Sequence, residues 1–402
     1  MDKIEKYHQE QLLRFENELS GDEKKELYKQ IQETDFSYLD ELNKEQKVEL
    51  CDIAPIEALT IDKIEKNKNK YKEIGETAIK NGEVATLLLA GGMGTRLGFD
   101  GPKGMYDVGI THNLFIFECI INNLKKVTDS LGVFIPLFIM TSDKNDKATK
   151  EFFEEKKYFG YSKDYIRFFT QEMAPCTDLQ GRILLESKNR LATSPNGNGG
   201  WFNSLIKNKD AKELLDKSGA KWINIFAVDN VLQKIADPVF IGATISAGVE
   251  VGAKVIRKVD PYEKVGVMCL KNGKPSVIEY MDLGEEMAQK TDAGGERLYN
   301  FGVILNYLFN IKTMYEIKDK KLPVHVVTKK IEHLDAEGNL IKPDEPNGHK
   351  FEMLCVDMIE LASTCLPFEV VREKEFAPIK NKTGVDSVES ARVLLQKNGV
   401  ML

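Results

Sequence analysis

The chain has 402 residues, 42% hydrophobic and 30% charged, with a net charge of −7; it can bury a large core in two or three subdomains, and its acidic balance argues against a dedicated nucleic-acid binder. The start, MDKIEKYHQEQ, lacks the apolar stretch of a signal peptide, and the longest apolar run, Val133 to Met140, is too short to span a bilayer. Six cysteines (Cys51, Cys119, Cys176, Cys269, Cys355, Cys365) lie scattered without a C-x-x-C pair, so reduced core thiols in a cytoplasmic protein are expected and a zinc site is not.

Residues 1–80 are charged, with apolar positions at helical spacing (Leu12, Phe15, Leu19) and no strand-like run. They predict a helical N-terminal segment packed on the main body. From Val84 onward, strand-like runs (84–90, 133–141, 223–228) alternate with helical stretches (114–127, 143–156, 200–215). That order predicts an α/β core, with a mostly parallel sheet covered by helices on both faces. The polar segment 336–350 reads as an excursion before a helix over 351–361. The domain spans expected from this pattern are 1–80, 81–350 and 351–402.

The most informative stretch is VATLLLAGGMGTRLGFDGPKGMYDVG, residues 84–109. A buried-looking strand runs into a glycine-rich turn at Gly91, Gly92 and Gly94, where backbone can bend sharply and its N–H groups can face anionic oxygens. Arg96 adds a planar fork of donors and Lys103 a compact cation, with Pro102 stiffening the approach. Together they suit a polyphosphate. A Walker A loop would need a lysine directly after the last glycine, and a dinucleotide fingerprint would need glycine where Leu97 stands. A glycine turn alone could equally be a tight strand-to-helix connection; the two cations and the proline are what separate the readings.

Two further constellations are ambiguous when read locally. Asp229 closes an apolar run in Ala227-Val228-Asp229-Asn230, where a carboxylate can hold a divalent cation or cap the next helix, the capping role being the better local guess. Ser194 to Trp201, SPNGNGGW, could close on a flat base or a sugar, and has the same composition as a surface turn.

The segment LAGGMGTRLGFDGPKGMYDVG closely resembles the signature of the nucleotide-diphosphate-sugar pyrophosphorylases, specifically the eukaryotic-type UDP-N-acetylhexosamine pyrophosphorylases. QEQLLRFENEL, PLFIMTSDKNDKATKEFFEEKKYFGY, RFFTQEMAPC, AVDNVLQKIADPVFIG, KVGVMCLKNGKPSVIEY and FAPIKN resemble further family segments in the family's order. The resemblance implies a Rossmann-like nucleotidyltransferase core and transfer of a uridylyl group from UTP to a sugar 1-phosphate, giving a UDP-sugar and pyrophosphate. It places Leu89, Gly91, Gly92, Gly94, Gln171, Gly197 and Asn198 on the nucleotide, Gly266, Glu279, Asn300, Leu354 and Val356 on the sugar, and Arg96, Lys103 and Lys380 on the phosphates. Asp229 would hold magnesium, with manganese as a substitute. The implied protein is a monomer or weak homo-oligomer with no nucleic-acid or membrane partner.

Departures from the family pattern bear on the sugar. Leu354 and Val356 stand where the family's acetyl pocket uses aromatic residues, and Val303 stands where a second asparagine is typical. N-acetylglucosamine 1-phosphate is the expected acceptor. Glucose or galactose 1-phosphate is the alternative, and an inactive UDP-sugar sensor is the reading from another class.

Overall fold

The computed structural model describes residues 2–43 and 52–402, leaving Cys51 outside. The described residues form two units: one from 2–43, 171–201 and 321–355, the other from 52–170, 202–320 and 356–402. These are not the contiguous spans expected from the sequence.

The second unit is built on a ten-stranded mixed sheet. Its main path runs Ile53–Pro55, Val267–Lys271, Phe301–Asn310, Trp222–Ala227, Val84–Leu89, Leu137–Thr141, Ile166–Thr170. The last four strands are mutually parallel, and Phe301–Asn310 joins them antiparallel. Val251–Arg257 pairs with Phe301–Asn310 and, in parallel, with Cys365–Glu369. All six residues of Val84–Leu89 are buried, as a parallel strand covered on both faces requires; the run is apolar except for Thr86, whose hydroxyl donates to Pro136 O at 2.8 Å. Helices Ile116–Leu131 and Pro238–Ala247 contribute to the same core.

Helix Ile61–Lys80 belongs to this unit and crosses helix Pro238–Ala247 at two glycines. A Cβ on Gly75 would lie 1.9 Å from the Pro238 carbonyl oxygen, and one on Gly242 would lie 1.8 Å from that of Tyr71. The described residues among the first eighty are mostly helical, as expected, but helix Ile61–Lys80 falls in the second unit. They also contain a strand, Ile53–Pro55, on the edge of the sheet, whose three residues are too few to register as a strand run.

The first unit holds helix Gly21–Glu33, started by a reciprocal Ser20/Glu23 capping box. It also holds a ribbon of Met173–Pro175 with Thr193–Pro195, and a three-stranded sheet of His325–Lys329, Gly348–Glu352 and Thr177–Asp178. Leu12, Leu27, Phe36, Leu191 and Phe351 are in its core.

Two expected helices differ. The 200–215 stretch is two helices, Trp201–Lys207 and Lys209–Ser218, because the Asn208 side chain accepts from Ala211 N at 3.0 Å and starts a new helix. Only Asp357–Leu361 of 351–361 is helical, since residues 353–355 commit their backbone elsewhere, as shown below.

Candidate active site

Leu89 and Ala227 are partners in adjacent parallel strands, so the chain leaves both strands at the same end of the sheet. The glycine loop follows the first and Asp229 the second, and ligands bind beyond these carboxyl ends in such sheets. This topology brings Lys103 Nζ to 2.6 Å from Asp229 Oδ1 across more than a hundred residues of sequence.

The loop is pinned by side chains from the next strand's end. Ser142 Oγ donates to Gly91 O at 2.9 Å, and Asn145 Nδ2 donates to Ala90 O at 2.9 Å and Gly92 O at 3.3 Å. In a trans peptide the N–H opposes the C=O, so the amides of Gly91, Gly92 and Met93 point away from Ser142 and Asn145. Such a run of aligned amides suits an anion. Neither residue stood out in the sequence, although their signal, TSDKN after an apolar run, was present there.

Backbone conformation and packing separate the glycines of this loop. The left-handed residue of the loop is Gly98 at φ +70°, whereas Gly94 has φ −82°. A Cβ on Gly94 would sit 2.7 Å from the Phe99 ring, and one on Gly104 2.2 Å from the Phe117 ring, so packing fixes both. A Cβ on Gly92 would meet nothing within 4 Å among the described residues.

Lys103 is 6% exposed. Burial pulls its pKa below the ordinary lysine value; the Asp229 carboxylate works against this, while the Arg96 and Lys380 cations add to it. The three predicted cations therefore share one neighbourhood. Arg96 itself is exposed, in the short turn Thr95–Leu97.

Lys380 arrives from the C-terminal side through a backbone clamp. Asn230 Nδ2 donates to Glu375 O at 2.7 Å, its Oδ1 accepts from Ala377 N at 2.9 Å, and Ile379 N donates to Asp229 O at 2.9 Å. The Lys380 ammonium pairs with Asp386 Oδ2 at 3.0 Å.

Among the sugar candidates of this unit, Gly266 and Glu279 adjoin: a Cβ on Gly266 would lie 3.4 Å from Glu279 Oε1 and 3.5 Å from Val303 Cγ2. Val303 N also donates to Gly266 O at 2.9 Å. Asn300, three residues before Val303, is buried, and its side-chain oxygen has no hydrogen-bond partner among the described residues. Val356 is half-buried just before helix Asp357–Leu361.

In the first unit, Met173 opposes Pro195 in the ribbon, which sets Gln171 and Gly197 at one end of it. Gly197 has φ +85°, and a Cβ there would lie 2.2 Å from Met353 O, so glycine is required on both counts. Met353 N donates to Asn196 O at 2.7 Å, Gly199 N to Met353 O at 2.8 Å, and Cys355 N to Asn198 Oδ1 at 2.7 Å. These bonds displace the helix expected from Phe351, and they place Leu354 against Gly199. They also occupy the Asn198 oxygen, so Asn198 has its amide nitrogen for a ligand.

Among the described residues, no three His, Cys, Asp or Glu side chains are grouped to hold a metal. Asp229, a lone carboxylate with a third of its side chain exposed, fits a cation that arrives already bound to phosphates.

An α/β sheet with a pinned glycine loop and a lysine–carboxylate pair at its strand ends is an arrangement that suits a nucleotidyltransferase. The family model described as UTP–glucose-1-phosphate uridylyltransferase matches residues 29–402, and the chain belongs to that family. The chain is 38% identical over 371 residues to the UDP-N-acetylglucosamine pyrophosphorylase of Saccharomyces cerevisiae, covering 89% of this chain and 77% of that protein. It is 37% identical to the human UDP-N-acetylhexosamine pyrophosphorylase-like protein 1, over 79% of this chain but 64% of that protein's length. The crystal structure of the uridine diphosphate N-acetylglucosamine pyrophosphorylase of Trypanosoma brucei with an inhibitor superposes with a TM-score of 0.85 at 28% identity, covering 98% of this chain and 83% of that one.

Proposed function

We propose that this protein transfers the uridylyl group of UTP to N-acetylglucosamine 1-phosphate, releasing pyrophosphate. The observation that carries the proposal is the Lys103–Asp229 pair beside the pinned glycine loop, with Arg96 and Lys380 close by. The names of the yeast, human and trypanosomal relatives support the class of sugar.

In this reading a phosphate oxygen of the sugar 1-phosphate attacks the α-phosphorus of UTP in line. The nucleophile is already anionic, so no general base and no covalent enzyme intermediate are needed; alignment and charge cancellation are the protein's task. The amides of Gly91 and Gly92, with Arg96 and Lys103, receive the departing pyrophosphate, and Lys380 reaches the phosphates from the other side. Gln171, Gly197 and the Asn198 amide read the uracil, where a side-chain amide matches the donor and acceptor of the imide edge. Glu279 and Asn300 take sugar hydroxyls, Gly266 borders the sugar beside Glu279, and Leu354 and Val356 face the 2-substituent. Asp229 would hold magnesium, which, when bound with UTP, neutralises charge developing on the phosphates. A cytoplasmic monomer or weak homo-oligomer is the accompanying expectation.

The test is pyrophosphate release from UTP with magnesium, comparing the 1-phosphates of N-acetylglucosamine, N-acetylgalactosamine and glucose. An N-acetylated sugar should give the highest kcat/KM. Preference for glucose would instead assign Leu354 and Val356 to a different sugar, and no release from any of them would favour a UDP-sugar sensor.

A further inference from the structure

Beneath the Lys380 segment lies a charge cluster to which the transfer reaction assigns no part. Lys254, in strand Val251–Arg257, is 0% exposed. Its ammonium lies 2.6 Å from Glu375 Oε2 and 3.2 Å from Asp237 Oδ2, and it donates to Lys234 O at 3.2 Å. Lys234 closes the cluster at 3.2 Å from the other Glu375 oxygen. Two cations and two anions cancel, yet a buried ion pair is seldom the most stabilising way to fill a core, and its best-attested use is to fix one register over others.

Glu375 is the residue where that register matters. Its carboxylate is held by Lys254 and its carbonyl by Asn230 Nδ2. Two residues on, Ala377 N returns to Asn230 Oδ1, and two further on, Ile379 N meets the carbonyl of Asp229. Lys380 follows directly. A continuous chain of bonds thus runs from the buried ammonium to the two residues expected at the phosphates. A slip of this segment by one residue would carry Lys380 more than 3 Å along an extended chain.

We infer that the buried Lys254–Glu375 pair, acting through Asn230, is a positioning device that sets Lys380 against Asp229 for uridylyl transfer. The inference rests on the proposed function for its consequence and on the observed bonds for its geometry. Lys254 and Glu375 are positioning residues and touch no substrate.

Lys254→Met alone leaves two buried carboxylates with Lys234 as their one remaining cation in the cluster and could unfold the protein. The informative variant is therefore Lys254→Met with Glu375→Gln, which stays neutral overall; Asn230→Ala cuts the same chain at its other end. Each is compared with the wild type by melting temperature, by pyrophosphate-release kinetics and by hydrogen exchange at the Ala377 and Ile379 amides. The expected result is faster exchange at those amides and a kcat lowered by roughly tenfold or more, with KM for UTP within about threefold, since the glycine loop and Lys103 are untouched. A folded double variant with unchanged exchange, or with a kcat within about twofold of wild type, overturns the inference. A loss of kcat in Asn230→Ala but not in the double variant also overturns it, because Lys254 would then have no part. If the wild type released no pyrophosphate, the proposed activity would fall, and the exchange comparison would still decide the anchoring.

Discussion

Lys103 combines near-complete burial with a positive charge, and its pKa lies below the ordinary lysine value despite the Asp229 partner. The unfolded chain thus binds this proton more tightly than the folded one. Lys103 opposes folding below its folded-state pKa, and stability recovers as pH rises from there toward the unfolded value of about 10.4. Lys103→Met keeps the stem and removes the charge, leaving Asp229 partly solvated; it should melt at or above the wild-type temperature at pH 7, with that gap narrowing as pH rises toward 10. A large loss of Tm would show that the ion pair stabilises the fold after all. Gly92 gives a complementary case, since among the described residues nothing fills the space of its missing side chain. Gly92→Ala should melt like the wild type and bind UTP more weakly by calorimetry. Unchanged affinity would remove the loop from the phosphate site.

Among elements, the crossing of helices Ile61–Lys80 and Pro238–Ala247 depends on backbone contact at Gly75 and Gly242. Alanine at Gly75 must push the helices apart and should cost about 1–3 kcal/mol or more in urea unfolding. Gly21, at the start of helix Gly21–Glu33, has open space around its missing Cβ. Alanine there should be neutral or stabilising by up to about 1 kcal/mol through helix propensity. If both variants behaved alike, close packing would not be what selects glycine at position 75. These contacts also show what the helical N-terminal eighty residues do not reveal locally. Helical periodicity marks Ile61–Lys80 as a helix, whereas its destination is set by a partner more than 150 residues away, and Ile53–Pro55 is a strand only because Val267–Lys271 offers it an edge.

In the molecule as a whole, what sequence exposed was whatever burial or backbone chemistry forces locally. The fully buried, mostly apolar Val84–Leu89, the glycine loop after it and the aspartate after Trp222–Ala227 were readable because a parallel sheet needs such runs and places its loops at one end. Side chains whose partners are remote in sequence were not readable. Ser142 and Asn145 holding the loop carbonyls, Asn230 clamping the Lys380 segment, and residues 353–355 taken from a helix by the Asn196–Gly199 loop all depend on contacts that periodicity does not encode. Half of the site was thus legible as residue types at strand ends, and the other half only as geometry. The central claim is that Lys103 and Asp229 serve uridylyl transfer. It is tested most directly by pyrophosphate release from UTP and N-acetylglucosamine 1-phosphate, run on the wild type, with magnesium and with chelator, and on Lys103→Ala. Metal-dependent turnover in the wild type, with a loss on the order of a hundredfold or more in the variant, is the expected result. Equal rates in the two proteins, or turnover indifferent to chelation, would contradict it.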